Sequence, residues 1–267
     1  MNKTIRMMAG LAMILSLLTM NTSCVLIKRV KASGNYITKD IRVDSFNAIK
    51  VQGSEDVLYS QSTDGRTSVK IYASDNVIDL YDIRVESGTL VIKQKKNFTI
   101  FGFGDKNEVK VIVSSPVLNE VKVQGSGDMV LKTALKSDKL DASIQGSGDI
   151  KGMGIYCNEL SATIQGSGDL MLGNIKSGTV EATVQGSGDI ALSGEAKTVS
   201  LKTQGSGDIN ASKLRGQDVE AITQGSGSIT CYATGFLKAR INGSGDISYR
   251  GTPNIDFPQE KKLNKMD

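Results

Sequence analysis

Gln145-Gly146-Ser147-Gly148-Asp149 is one copy of a five-residue phrase whose recurrence decides how this 267-residue chain folds. The same phrase stands at Gln124-Gly125-Ser126-Gly127-Asp128, Gln165-Gly166-Ser167-Gly168-Asp169, Gln185-Gly186-Ser187-Gly188-Asp189 and Gln204-Gly205-Ser206-Gly207-Asp208. It returns as Gln224-Gly225-Ser226-Gly227-Ser228 and Asn242-Gly243-Ser244-Gly245-Asp246, so that successive copies begin 21, 20, 20, 19, 20 and 18 residues apart. A degenerate copy, Gln52-Gly53-Ser54-Glu55-Asp56, lies well upstream. A fixed period of this length marks a repeat architecture, in which each unit buries its apolar face only by stacking on its neighbours.

The residues around each copy have period two. Leu140-Asp141-Ala142-Ser143-Ile144, Leu160-Ser161-Ala162-Thr163-Ile164 and Val180-Glu181-Ala182-Thr183-Val184 alternate apolar and polar, as a strand with one buried face requires. Directly after the phrase stand Met129, Ile150, Leu170, Ile190, Ile209, Ile229 and Ile247, and two residues beyond several of these stand Leu131, Leu172, Leu192, Ala211 and Cys231. Strand, glycine corner, strand and return segment fill one period, which is too short for a strand-helix-strand crossover of about 30 residues. The predicted fold is all-β: a right-handed single-stranded parallel β-helix, or β-solenoid, with ~20-residue coils. The corner glycines are expected to supply positive φ. No proline falls between Pro116 and Pro253, as ladder-forming strands demand.

Outward from the repeats, residues 119–255 form the regular coils, and residues 34–118 have strand character with less regularity, read as wider first coils carrying insertions. The insertion at 94–107 holds Phe98, Phe101 and Phe103. It reads as a hydrophobic flap that caps or flanks the solenoid, with contact to a partner as the alternative. Residues 256–267 are polar and lysine-rich, and are expected to fray.

The first 23 residues have the form of a secretory signal: Lys3 and Arg6 precede an apolar run at residues 7–20, too short to span a membrane comfortably. The run ends at Asn21-Thr22-Ser23-Cys24, which is similar to the lipobox of bacterial lipoproteins, although Asn21 stands where that motif prefers Leu. Cys24 would be the lipidated first residue of the mature chain, and residues 24–33 a tether. An ordinary secreted protein cut nearby is the alternative. Cys157 and Cys231 fall in different columns about four coils apart, on the order of 15–20 Å at ~4.8 Å per coil. A disulfide needs Cα atoms within about 7 Å, so neither is expected to be bridged.

Composition excludes several chemistries. With no histidine, Ser-His-Asp and Cys-His sites, His-ligated zinc and imidazole bases are absent. The net charge of +4 leaves no basic stripe to attract phosphates, so no nucleic-acid partner is expected. Polysaccharide-cleaving β-helices need carboxylates converging in unlike surroundings. Here Asp128, Asp149, Asp169, Asp189, Asp208 and Asp246 recur in matching ones, which argues for structure, with no catalytic residue, no cofactor and no metal. One Asp per coil cannot readily assemble a six-oxygen calcium site. Repulsion along such a column, about 0.2–1 kcal/mol per pair, is expected to be relieved by hydrogen bonds from turn amides, with cation binding as the alternative. The glutamines are expected to stack as an amide ladder.

Phe46-x-x-Ile49-x-Val51, the step Ser115-Pro116-x-Leu118 and the Gly-Ser-Gly-Asp coils together resemble the head GIN domain of auto-transporter adhesin heads, a family common in envelope proteins of Bacteroidetes. The resemblance spans residues 34–252. It implies an adhesin-like role and carries over no catalytic residue. A membrane β-barrel translocator would need many more amphipathic strands, so auto-transport is not expected. The expected function is that of a non-enzymatic cell-envelope solenoid, anchored by lipid to a membrane, that presents a surface to a protein or glycan. The alternative is a periplasmic scaffold that binds a protein through Phe98, Phe101 and Phe103. A polysaccharide-active enzyme is the third reading.

Overall fold

A computed structural model of the chain describes residues 27–102, 109–258 and 263–266. The leader, Cys24 and Phe103 lie outside the described residues. The fold follows from the alternation. In the strand Lys139–Ile144, Leu140, Ala142 and Ile144 are buried while Asp141 and Ser143 face outward. The next coil pairs with it in parallel, Leu140 opposite Leu160, Ala142 opposite Ala162 and Ile144 opposite Ile164. The same column continues through Val180, Val199, Val219 and Leu237. A second column after the corner runs Ile150, Leu170, Ile190, Ile209, Ile229 and Ile247. The protein is therefore a β-solenoid of stacked parallel coils, with one apolar core along its axis. The unequal repeat lengths are absorbed by register shifts in the return segments, as between Leu172 and Ile175, so the corner strands stay aligned.

The glycine corner obeys a different rule from the one expected. Of the glycines in the phrase, only Gly125 has positive φ, at 151°. What excludes a side chain is the coil beneath: a Cβ on Gly186 would lie 2.1 Å from the carbonyl oxygen of Gly166, and one on Gly188 2.0 Å from that of Gly168. The Gly166 carbonyl is close because it is a ladder acceptor. The Gly166 oxygen receives the N–H of both Ser187, at 2.9 Å, and Gly188, at 3.2 Å.

At the N-terminal end, order in the stack departs from order in the chain. The strand Ala48–Gln52 lies between Glu120–Val123 and Thr89–Gln94, parallel to both. Asp56–Gln61 lies likewise between Met129–Leu131 and Lys110–Ser115. Residues 48–61 thus form the second coil, and the later strands Thr89–Gln94 and Lys110–Ser115 form the outermost one. The other early strands are not coils. Tyr36–Ile41 and Ser68–Ser74 pair antiparallel with each other, Ser68–Ser74 pairs antiparallel with Lys110–Ser115, and Tyr81–Glu86 with Thr89–Gln94. The last reversal is a two-residue turn, Ser87 at φ 48° and Gly88 at φ 79°, the geometry that closes a tight hairpin. These strands cover the terminal coil, whose open edge would otherwise invite further chains.

The two chain ends also differ from expectation. The segment 24–33, read as a tether, contributes a strand: Lys28–Lys31 pairs in parallel with Phe98–Phe101 as a separate two-stranded sheet. The tail, expected to fray, returns to the last coil. Asn264–Lys265 pairs with Ile247–Arg250, and Phe257 and Leu263 pack against the core, because the last coil too has an edge and an apolar end to cover. Cys157 and Cys231 are free and buried, and burial pushes the Cys231 thiol up to about 12.

Candidate functional site

The most regular surface of the molecule is the corner itself, where two polar ladders run along the axis. In the first, each glutamine amide donates to the next: Gln52 to Gln124 at 3.1 Å, Gln145 to Gln165 at 2.9 Å, Gln165 to Gln185 at 3.2 Å, Gln185 to Gln204 at 3.1 Å and Gln204 to Gln224 at 2.8 Å, with Gln124 bonded to Gln145 in the same way. In the second, each aspartate Oδ1 accepts the main-chain N–H of the aspartate one coil on. Asp149 donates to Asp128, Asp169 to Asp149 and Asp189 to Asp169, each at 2.9 Å, and Asp208 donates to Asp189 at 2.8 Å. Ser228 N–H donates to Asp208 at 2.7 Å, and the Ser228 hydroxyl then stands where a carboxylate would, 3.4 Å from the Asp246 N–H.

The structure therefore brings the predicted turn residues into columns, each with its own task. The glycines clear the stack, and the glutamines and aspartates link coil to coil. The serines between them point outward, Ser126, Ser147, Ser167, Ser187 and Ser206 bordering the two ladders; Ser187 is exposed. Lys151 pairs with Asp149 at 2.8 Å. Burial opposes the charged form of Asp149, but the bonds from Lys151 and from the Asp169 N–H outweigh it and hold this carboxyl below its usual range. Among the described residues no three His, Cys, Asp or Glu groups converge as metal ligands.

Two shallow grooves flank the columns. One, of ≈ 300 Å³, is lined by Lys139, Asp141, Glu159 and Glu181. The other, of ≈ 250 Å³, is apolar and holds Met153 and Met171, which are 58% and 46% exposed, above Leu172 and Leu192. Of the phenylalanine flap, Phe98 and Phe101 end a strand bonded to the N-terminal arm, and the Arg29 guanidinium stacks 5.1 Å from the Phe101 ring.

Three residues escaped the sequence reading. Thr203 and Thr223 occupy the core column held elsewhere by Ile144, Ile164 and Val184, and satisfy their buried hydroxyls on the carbonyls of Gly207 and Gly227, at 2.9 and 2.8 Å. Glu55 stands where every later copy has its second glycine. A side chain fits here because the strand beneath is not followed by the same corner: after Gln94 the chain goes on to form Phe98–Phe101, paired outside the coil stack. Glu55 is 2% exposed, and its Oε2 has no hydrogen-bond partner among the described residues. Burial pushes its carboxyl up, and the charge of Asp56 adds to this against a main-chain hydrogen bond. The signal was present, as a charged residue in a column that otherwise tolerates no Cβ.

No helix among the described residues is long and apolar enough to cross a membrane. A search of curated proteins finds no match. Among solved structures, a putative lipid binding protein from Parabacteroides distasonis is 28% identical with a TM-score of 0.82, the match covering 90% of this chain and 100% of that one. A putative adhesin from Bacteroides fragilis is 32% identical with a TM-score of 0.65, covering 88% and 95%. A putative adhesin from Parabacteroides merdae is 26% identical with a TM-score of 0.79, covering 89% and 96%. The family model described as "Putative auto-transporter adhesin, head GIN domain" matches residues 45–182 and 163–253. Family model, repeated corner and coil stack agree, and the chain belongs to the head GIN domain family of auto-transporter adhesin heads.

Proposed function

We propose that the protein is a non-enzymatic solenoid of the cell envelope, exported and anchored through lipidated Cys24, that presents its outer columns to a protein or glycan. One observation carries this reading: the repeated polar groups are committed to bonds between coils, and what they leave outward is a long, uniform face with no unique cluster. Extended repeats of this kind offer surfaces, not pockets. Membership of an adhesin family supports the same class of role. The scaffold reading rests on the phenylalanine loop, of which Phe101 lies against Arg29 and stays partly exposed. The test is binding of the purified chain to arrayed host glycans and matrix proteins. Saturable binding lost on substituting outward residues of several coils together supports the reading. Binding to none of them defeats it.

A second reading, lipid binding, is favoured by the exposed Met153 and Met171 groove together with the description of the Parabacteroides distasonis relative. Met153→Glu with Met171→Glu should abolish uptake of a fluorescent fatty acid. Unchanged uptake, or none by the parent chain, removes this reading.

A further inference from the structure

We infer that the N-terminal end of the solenoid is a membrane-contact surface, built to lie against anionic phospholipid headgroups. This rests on the reading of Cys24 as the anchor, and the structure adds what that reading lacks. Two basic stretches far apart in sequence, Lys28-Arg29-Val30-Lys31 and Lys93-Gln94-Lys95-Lys96, are brought side by side, since Lys28 N–H donates to the carbonyl of Asn97 at 2.8 Å and the strand Lys28–Lys31 continues along Phe98–Phe101. Lys28, Arg29, Lys31, Lys95 and Lys96 are all exposed. Lys93, Lys95 and Lys96 line a concavity of ≈ 650 Å³ at the same end together with the carboxylate of Asp82, and Lys95 Nζ donates to the Asp79 carbonyl at 2.7 Å. Beside these cations stand exposed apolar groups, Ile27 next to Lys28 in the chain at 60% and Phe101 opposite Lys31 at 40%.

Three acids described in this region have partners. Asp79 pairs with Lys39 at 2.6 Å, Asp75 accepts from Ser33 at 2.5 Å and Asn35 at 2.8 Å, and Asp82 is bonded to Arg84 and lies 3.8 Å from Lys93. The occupant follows from the length of chain. Cys24 precedes the first residue of the arm strand by four positions, a reach of about 14 Å at most, so an acyl group on Cys24 would hold this end, and no other, at the bilayer. Clustered Lys and Arg next to an anchor, interleaved with apolar side chains, is the composition that adheres to an anionic leaflet, and one lipid signal is commonly completed by such a patch.

The test uses the chain from Val25 onward, which contains every described strand and carries no acyl group. It should co-sediment with vesicles containing phosphatidylglycerol and not with pure phosphatidylcholine, and release as salt is raised. Reversing Lys28, Arg29, Lys95 and Lys96 to Glu should lower the partition coefficient by at least about a hundredfold. Reversing Lys202 and Lys213, on coils away from this end, should leave it within about threefold. No binding to anionic vesicles at low ionic strength, or equal loss in both variants, overturns the proposal. Incorporation of an acyl probe at Cys24 in the full chain is read separately, so an unlabelled chain defeats the anchor reading while the vesicle assay alone decides this surface.

Discussion

The main-chain N–H of Asp149 donates to Oδ1 of Asp128, one coil earlier, at 2.9 Å. The bond explains how like charges can stack: each carboxylate is the acceptor for an amide of the next coil, and its second oxygen is left to solvent or, at Asp149, to Lys151. The column should then depend on the acceptor oxygen more than on the charge. Asp169→Ala should lower the unfolding free energy by about 1 kcal/mol. Asp169→Asn, which keeps Oδ1, should change it by less than about 0.5 kcal/mol, with relief of repulsion offsetting the weaker bond. Urea titration of the two variants decides the point, and equal losses would show that charge matters more than the bond.

Clearance at the corner makes the glycines the least replaceable residues of the surface. Gly186→Ala would place Cβ 2.1 Å from the Gly166 oxygen and force the coils apart, at a cost of about 2–3 kcal/mol. Ser187→Ala, one residue on and exposed, should cost less than about 0.5 kcal/mol. Thermal melts that fail to separate the two would refute the clearance argument.

Glu55 is a carboxyl whose folded-state pKa lies above 4.5 because burial disfavours its charge. Between the unfolded and folded values the native state binds more protons than the unfolded one, so its contribution to stability falls as pH rises through that window. Glu55→Gln should therefore be more stable than the parent at neutral pH, and the advantage should shrink as pH is lowered towards 4.5. An advantage that grows on acidification would mean that the carboxylate is paired and stabilising.

An aspartate column bonded to amides needs no cation. Melting temperature should move by less than about 2 °C on adding EDTA or millimolar calcium, since a ligand stabilises only what it binds. A large drop with EDTA, restored by calcium, would place an ion between coils.

Much of the fold could be read from Gln145 to Asp149 and its copies, because a period of about 20 residues leaves few ways to bury Leu140, Leu160 and Val180 other than stacking them. The glutamine and aspartate ladders were equally legible, since identical residues at one period must become neighbours. What could not be read was long-range order among unlike segments. Nothing local says that the strands Thr89–Gln94 and Lys110–Ser115 pass beneath 48–61, and only the Ser87-Gly88 turn hints at a hairpin. Both ends were misjudged because the polar sequences 28–31 and 264–265 give no hydrophobic signal: 264–265 forms a strand on the edge of the last coil, and 28–31 forms one against Phe98–Phe101, outside the coil stack. Similarly, the corner glycines are dictated by the coil below, a contact invisible in any single repeat.

The central claim, that this solenoid presents its outer columns beyond the cell, is tested most directly by a membrane-impermeant amine label applied to intact cells of the native host. The exposed lysines on coils away from the N-terminal end, Lys176, Lys197 and Lys213, should be modified in intact cells to the same extent as after lysis. Modification only after lysis would contradict the claim and place the protein on the inner side of the envelope.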